Sequence, residues 1–199
     1  NISRAERSGG VIEPLPKLQW FVSVNAKFPP NQLGRGSPQK GGKLNVETID
    51  KEISLKEIMR VAVESKQIQI LPDRFEKIYF NWINNLRDWC ISRQVWYGHR
   101  IPVWYCVACG NKAKTESEME KCLDPIVSID IITTCPHCGG SVTQDPDTLD
   151  TWFSSALWTF STLGWPDENA KDLKLYHPTS LMNPGYEIIF FWVARMILM

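Results

Sequence analysis

The chain has 199 residues, 43% of them hydrophobic, with 22 basic and 22 acidic side chains and a formal charge of zero. That length bounds one ordinary domain, or a domain with a small insert, and the apolar share is enough for a real core. Zero net charge removes any global electrostatic case for nucleic acid or an anionic membrane, so an RNA contact would be local or made by other parts of a larger protein. In chain order, Val11–Val24 sets apolar residues around two prolines and reads as an extended segment or short edge strands. Pro29–Lys43 is rich in Pro, Gly and Lys and reads as a flexible loop. Leu55, Ile58, Met59, Ala62 and Val63 recur at helical spacing, with Ser54 as N-cap and Glu57 as its capping-box partner. Ile68–Pro72 alternates and reads as a short strand. Phe75–Cys90 reads as a helix with Trp82, Leu86 and Trp89 or Cys90 on one face.

Beyond Ile101–Trp104 lies a cysteine module. Thr151–Phe153 then reads as a short buried strand, Ser154–Phe160 as a loop or helix start, and Leu163–Lys174 as a turn. Pro178–Met182 reads as a strand, Asn183–Gly185 as a turn, and Tyr186–Leu198 as a helix apolar nearly all round except at Arg195, hence buried. Strand, glycine turn and buried helix make half of a βαβ unit. Asn1–Gly10 is polar and charged, unlike a secretory signal, and the longest apolar run, Ile188–Ala194, is too short for a bilayer. There is no initiator Met, and the chain stops inside a hydrophobic pattern, as an excerpt of something longer would.

Four of the six cysteines form two Cys-x-x-Cys pairs, Cys106/Cys109 and Cys135/Cys138. Each pair sets two thiolates on one tight turn, Gly110 and Gly139 let the chain turn back, and four thiolates complete a closed tetrahedral Zn²⁺ site. Twenty-five residues separate Cys109 from Cys135, slightly more than the roughly 15–20 usual for such a spacer. Bound zinc would stabilise its loop by on the order of 10 kcal/mol, enough for an insert with almost no core. The alternatives are a degenerate, metal-free knuckle and a redox pair. His137 or Cys122 could each replace a ligand, though Cys90 and Cys122 read as packing residues. Paired cysteines kept for metal imply a reducing, cytoplasmic setting.

"NWINNLRDWCISRQVWYGHRIPVWYC" before the module, "DPDTLDTWFSSALWTFSTLGWP" after it and "GYEIIFFWVARMILM" at the end resemble the class I aminoacyl-tRNA synthetases, and among them the valine-specific members. The likeness runs from about Val11 to Met199. It implies an α/β fold: part of a Rossmann-type catalytic domain carrying an inserted four-cysteine zinc ribbon. Residues 1–50 would return from the editing-domain insertion, 51–105 supply catalytic-domain helices and a strand, 106–140 form the ribbon, and 141–199 form the Rossmann half with amino-acid and ATP elements.

The resemblance further implies Trp152 and Trp192 as indole walls of a valine slot, ordinary core packing being the alternative. Gly185 and Glu187 stand at the place of the family's Gly-x-Asp, where a glycine approaches the nucleotide and a carboxylate holds a ribose hydroxyl. Here Glu replaces Asp, and a helix N-terminal carboxylate stabilised by the dipole is the other reading of Glu187. Arg93 and Arg100 either fix packing or meet the acceptor end of tRNA, and His99 is either a hydrogen-bonded structural residue or a catalyst. No HIGH-like or KMSKS-like signature lies within the 199 residues, so no catalytic residue is assigned and the segment alone is expected to be inactive. The complete enzyme would use L-valine, ATP with Mg²⁺ and tRNA(Val), with structural Zn²⁺, no membrane and no stable protein partner. The rival readings are an isoleucyl or leucyl enzyme and a non-catalytic zinc-ribbon module that grips RNA.

Overall fold

Ser54 caps the first helix in the computed structural model, which describes residues 2–13, 16–29, 52–106, 108 and 124–199. Its hydroxyl accepts from the Glu57 amide while the Glu57 carboxylate accepts from the Ser54 amide at 2.8 Å, the reciprocal box that the sequence predicts for α1, Leu55–Glu64. The Glu57 carboxyl is held below its ordinary pKa, chiefly by that backbone hydrogen bond. Helix α2 spans Arg74–Asn84 and ends sooner than the spacing suggests. Trp89–Cys90 is instead a strand, paired antiparallel with Phe21–Val22. The buried face of α2 is Tyr79 and Ile83, while Trp82 is half-exposed and stacks on Phe190 at 4.4 Å. Met59, Val63, Tyr79, Ile83, Ile189 and Ala194 form the buried core between α1, α2 and the C-terminal helical run. In it the Tyr79 hydroxyl donates to the Met59 carbonyl at 2.9 Å, and burial pushes the phenol pKa up.

Among the described residues the strands are short and every pairing is antiparallel. We number them β1 (Phe21–Val22), β2 (Lys27–Phe28), β3 (Ile53–Ser54), β4 (Trp89–Cys90), β5 (Ser92–Arg93), β6 (Val103–Cys106), β7 (Ile126–Val127), β8 (Val142–Gln144) and β9 (Thr148–Leu149). β1 pairs with β4, β2 with β3, β5 with β9, and β6 lies between β7 and β8. Three of the expected strands are absent. Ile68–Pro72 is not a strand, because the Ile68 amide folds back onto the Ala62 carbonyl at 2.9 Å and closes the end of α1. Thr151–Phe153 is not a strand but the start of helix α3, Thr151–Ala156, because the Asp150 side chain caps it. Pro178–Met182 forms no strand, so the strand of the βαβ half-unit is missing among the described residues.

Helices Trp158–Ser161 and Lys171–Tyr176 follow α3. The helix expected at Tyr186–Leu198 is present as one run: a tight turn, a widened turn over Ile189–Val193, then α-helix Ala194–Leu198. It is not buried all round, since Tyr186 and Phe191 face outward and only Ile189 and Ala194 are fully covered. The expected loop at 29–43 lies, but for Pro29, outside the described residues. No described helix is long and apolar enough to cross a membrane.

Between β8 and α3 run three buried carboxylates, Asp145, Asp147 and Asp150. Asp145 accepts from the Trp20 indole at 2.9 Å, the Tyr105 hydroxyl at 3.1 Å and the Asp147 amide at 2.9 Å. Asp147 accepts from Lys17 at 2.9 Å and Gln94 at 2.7 Å. Asp150 accepts from Arg93 at 2.8 Å and the Trp89 indole at 3.0 Å. Burial alone would raise the Asp145 pKa. Its donors and the charge of Lys17 outweigh that and leave the group below the ordinary carboxylate value.

Two outcomes are expected. Tyr79→Phe should cost about 1 kcal/mol in urea unfolding, because a buried carbonyl loses a partner; an unchanged midpoint would contradict that. The Asp145 contribution is present above the unfolded value, at about pH 4, and lost as pH falls through the lower folded value. Tryptophan fluorescence should therefore report loosening only on the acid side of that value, with Asp145→Asn removing this acid dependence; loosening that began near neutrality would refute it.

Candidate functional site

Strand β6 delivers Cys106 beside the turn that carries Cys135 and Cys138. The three Sγ atoms lie within 4.8 Å of one another, and Cys106 and Cys138 are 3.5 Å apart. That separation is far too long for a disulfide of ~2.05 Å. It is close to the ~3.8 Å expected between thiolates bound tetrahedrally to zinc at ~2.3 Å. Backbone amides of His137 and Gly140 point at the sulfurs of Cys135 and Cys138, at 3.4 and 3.3 Å. Gly139 has φ +68°, and a Cβ on Gly140 would come within 2.7 Å of Ala108 Cβ, so both glycines serve the turn. The donor set fits a thiophilic ion such as Zn²⁺. Cys109 and Cys122 lie outside the described residues.

The same turn recurs near the start of the chain, and the sequence reading missed it. Ala5 donates to the Gly10 carbonyl at 2.8 Å, Gly9 to Ala5 at 2.8 Å, and Arg4 bridges Val11. At the cysteines, Cys135 donates to Gly140 at 2.7 Å, Gly139 to Cys135 at 2.9 Å, and Thr134 bridges Ser141. Gly9 shares the φ of +68°, and the Gly10 amide meets Ser8 Oγ at 3.3 Å as Gly140 meets Cys138. Ala5 and Ser8 thus occupy the places of Cys135 and Cys138. The turn closes without thiols, so it is the sulfurs, not the backbone, that single out the second copy as a metal candidate. The shared "GG" after each turn was the available signal.

The Asp150 cap places Trp152 on the first turn of α3. Its ring stacks on Phe191 at 5.7 Å and 25°. The neighbouring Trp192 donates its indole N–H to the Ser155 carbonyl at 2.8 Å. The two helices carrying these tryptophans are therefore in direct contact, while the ring against Trp152 is that of Phe191. Trp192 also lines a cavity of about 510 Å³ with Trp158, Thr162, Tyr176 and Asn183. Gly185 and Glu187 meet closely: a Cβ on Gly185 would lie 2.5 Å from the Glu187 carboxylate, which folds back over the glycine at the start of the run.

Within the stretch Arg87–Cys106, the side chains of Arg93, His99 and Arg100 are internally bonded. Arg93 holds Asp150 and the Cys90 and Ser92 carbonyls, and Arg100 holds those of Gln144 and Asp145. His99 Nδ1 and Ser154 Oγ are 3.1 Å apart, tying this stretch to α3. The Cys90 thiol lies near Gln19 and Ser92. Sequence reasoning passed over the carboxylates of "DPDTLD". Three acids in six residues before an apolar helix were the signal that could have found them.

A family model described as tRNA synthetases class I (I, L, M and V) matches residues 13–199. The chain is 46% identical over 200 residues to a valine–tRNA ligase of Dehalococcoides mccartyi (strain CBDB1), covering 100% of this chain and 18% of that protein. It is 47% identical over 192 residues to a valine–tRNA ligase of Symbiobacterium thermophilum, covering 96% and 16%. It is 44% identical over 204 residues to the chloroplastic/mitochondrial valine–tRNA ligase 2 of Arabidopsis thaliana, covering 100% and 17%. The chain thus spans less than a fifth of the length of these relatives.

Proposed function

The chain belongs to the class I tRNA synthetases, and from that premise we propose that it is the amino-acid-recognising segment of a valine–tRNA ligase. The observation that carries the choice of valine is identity of 46% across the whole chain to a protein of that name. The complete enzyme joins L-valine to ATP, with Mg²⁺, to give valyl-adenylate and diphosphate. It then transfers the valyl group to tRNA(Val). In-line attack on the α-phosphorus needs positioning and charge stabilisation more than covalent help. The contribution of this segment is recognition within a Rossmann-type catalytic domain, in a reducing compartment such as the cytoplasm.

Trp152 and Trp192 are the walls of the valine slot. Support comes from the contact between their helices and from the Trp192–Ser155 hydrogen bond, which fixes one indole against the backbone of the other helix. Flat apolar walls exclude isoleucine by size. They reject threonine by only ~100-fold, a limit for which the valine enzyme is itself the standard example, so editing must follow elsewhere. Gly185 gives close approach to ATP at a helix start. Glu187 swings from its place over that glycine to hold a ribose hydroxyl. Cys106, Cys135 and Cys138, with Cys109 as fourth donor, hold a structural Zn²⁺. The ion would supply stability alone, since four thiolates leave no open position. The 106–140 segment is then an insert steadied by metal between 51–105 and 141–199.

Native mass spectrometry should find one Zn²⁺ per chain, and Cys138→Ser should lose it. A well-folded sample with almost no metal would remove the site. In the complete enzyme, Trp192→Ala or Trp152→Ala should shift the valine/isoleucine ratio of kcat/KM toward isoleucine. One methylene is worth about 1–3 kcal/mol of discrimination, so a shift of about tenfold is expected in ATP–diphosphate exchange. A lowered melting temperature with an unmoved ratio would make both tryptophans structural and contradict the slot.

A further inference from the structure

Arg195 is the only charged side chain between Glu187 and the end of the sequence. It is half-buried, and burial lowers its pKa. Its guanidinium carbon sits 4.2 Å from the centre of the Trp89 ring, with Phe190 and Phe191 at 5.4 and 5.6 Å. A cation so caged is attracted by each ring face. At the other end of the same indole, Trp89 Nε1 donates to Asp150 at 3.0 Å. An anion at the N–H edge draws the proton away and makes the ring face more negative, which strengthens its hold on the cation. Asp150 also accepts from the Trp152 amide at 3.3 Å, starting α3. The Trp152 ring stacks on Phe191, whose carbonyl accepts from Arg195 at 3.2 Å. The contacts close a circuit: Asp150, Trp152, Phe191, Arg195, Trp89 and back to Asp150.

This circuit spans the two helices that carry Trp152 and Trp192. We propose that Asp150 and Arg195 are a positioning pair, coupled through the Trp89 indole, that sets the spacing of those helices and thereby the amino-acid selectivity of the slot. The inference rests on the slot reading given above. Neither residue lines the cavity at Trp192. Their effect passes through the walls, so it falls on amino-acid binding and leaves ATP binding alone.

The test uses the complete enzyme with Asp150→Asn, Arg195→Met, Arg195→Lys and the Asp150→Asn/Arg195→Met double variant. Valine, isoleucine and ATP kinetics are read by diphosphate exchange, beside melting curves. Each of the Asn and Met single variants should raise the valine KM about tenfold and alter the valine/isoleucine ratio, with the ATP KM moving less than about twofold. The double variant should be no worse than the worse single one, because both act through one link. Arg195→Lys, which keeps a cation over the ring, should recover most of the loss. If Arg195→Met does not fold, Asp150→Asn and Arg195→Lys still decide the matter. Additive losses, an unmoved ratio, or equal losses for valine and ATP with lower melting would overturn the proposal. Should Trp192→Ala move the ratio and Asp150→Asn and Arg195→Met not, this proposal fails and the slot stands. Should Trp192→Ala leave the ratio unmoved, both fail.

Discussion

Three carboxylates buried on one short segment organise this chain. An unpaired carboxylate in such a place would cost several kcal/mol or take up a proton. Each therefore needs donors, and the donors come from different elements. Asp145 and Asp147 take Trp20, Lys17, Tyr105 and Gln94, which ties the early segment and the cysteine module together. Asp150 takes Arg93, Trp89 and the Trp152 amide at the start of α3, which ties the central stretch to the helix bearing Trp152. No buried side-chain polar atom among the described residues is left without a partner. The many aromatic and cationic side chains of Arg87–Cys106 now have a physical role: several of them are the donors these acids require.

This arrangement suits a sheet structure in which seven of the nine described strands have only two residues. Such strands hold little by themselves. Side-chain bonds from Asp145, Asp147 and Asp150 reach across them, and backbone bonds fill the gaps: Ile91 to Trp20 at 2.8 Å, Asp150 to Ile91 at 2.7 Å, Leu149 to His99 at 2.7 Å. The helical core of Met59, Tyr79 and Ile189 forms the other half of the support. The C-terminal run lies between the two, with Ile189 in the helical core and Arg195 over Trp89.

The sequence showed some of this plainly. Ser54 and Glu57 announced α1 because a capping box is a local signal, and its geometry depends on residues within one turn. The Cys135–Cys138 spacing announced a turn for the same reason, while Cys106 joins it only through the pairing of β6 with β8. Strands misled where tertiary contacts decide. "DTWF" has the β-branched and aromatic look of a strand, yet the Asp150 cap turns it into a helix. "HPTSLM" looks extended but finds no pairing strand among the described residues. Arg195 stood out as a lone charge on an apolar run, but the ring nearest to it, Trp89, stands on the far side of the cysteine module in the sequence, beyond the reach of any periodicity. The Ala5–Gly10 turn was hidden because its backbone is a knuckle and its side chains are not.

Native-state hydrogen exchange on the complete protein tests the organising role of the acids most directly. The amides of Trp20, Ile91, Asp145 and Asp150 belong to three separate stretches joined through the carboxylates. If those acids weld the stretches into one unit, the four amides open together, with opening free energies within about 1 kcal/mol of one another under denaturant. Trp20 opening by a separate, much easier route while Asp145 and Asp150 stay protected would show that the early segment is merely laid on the surface, and would contradict the central role given to the buried carboxylates.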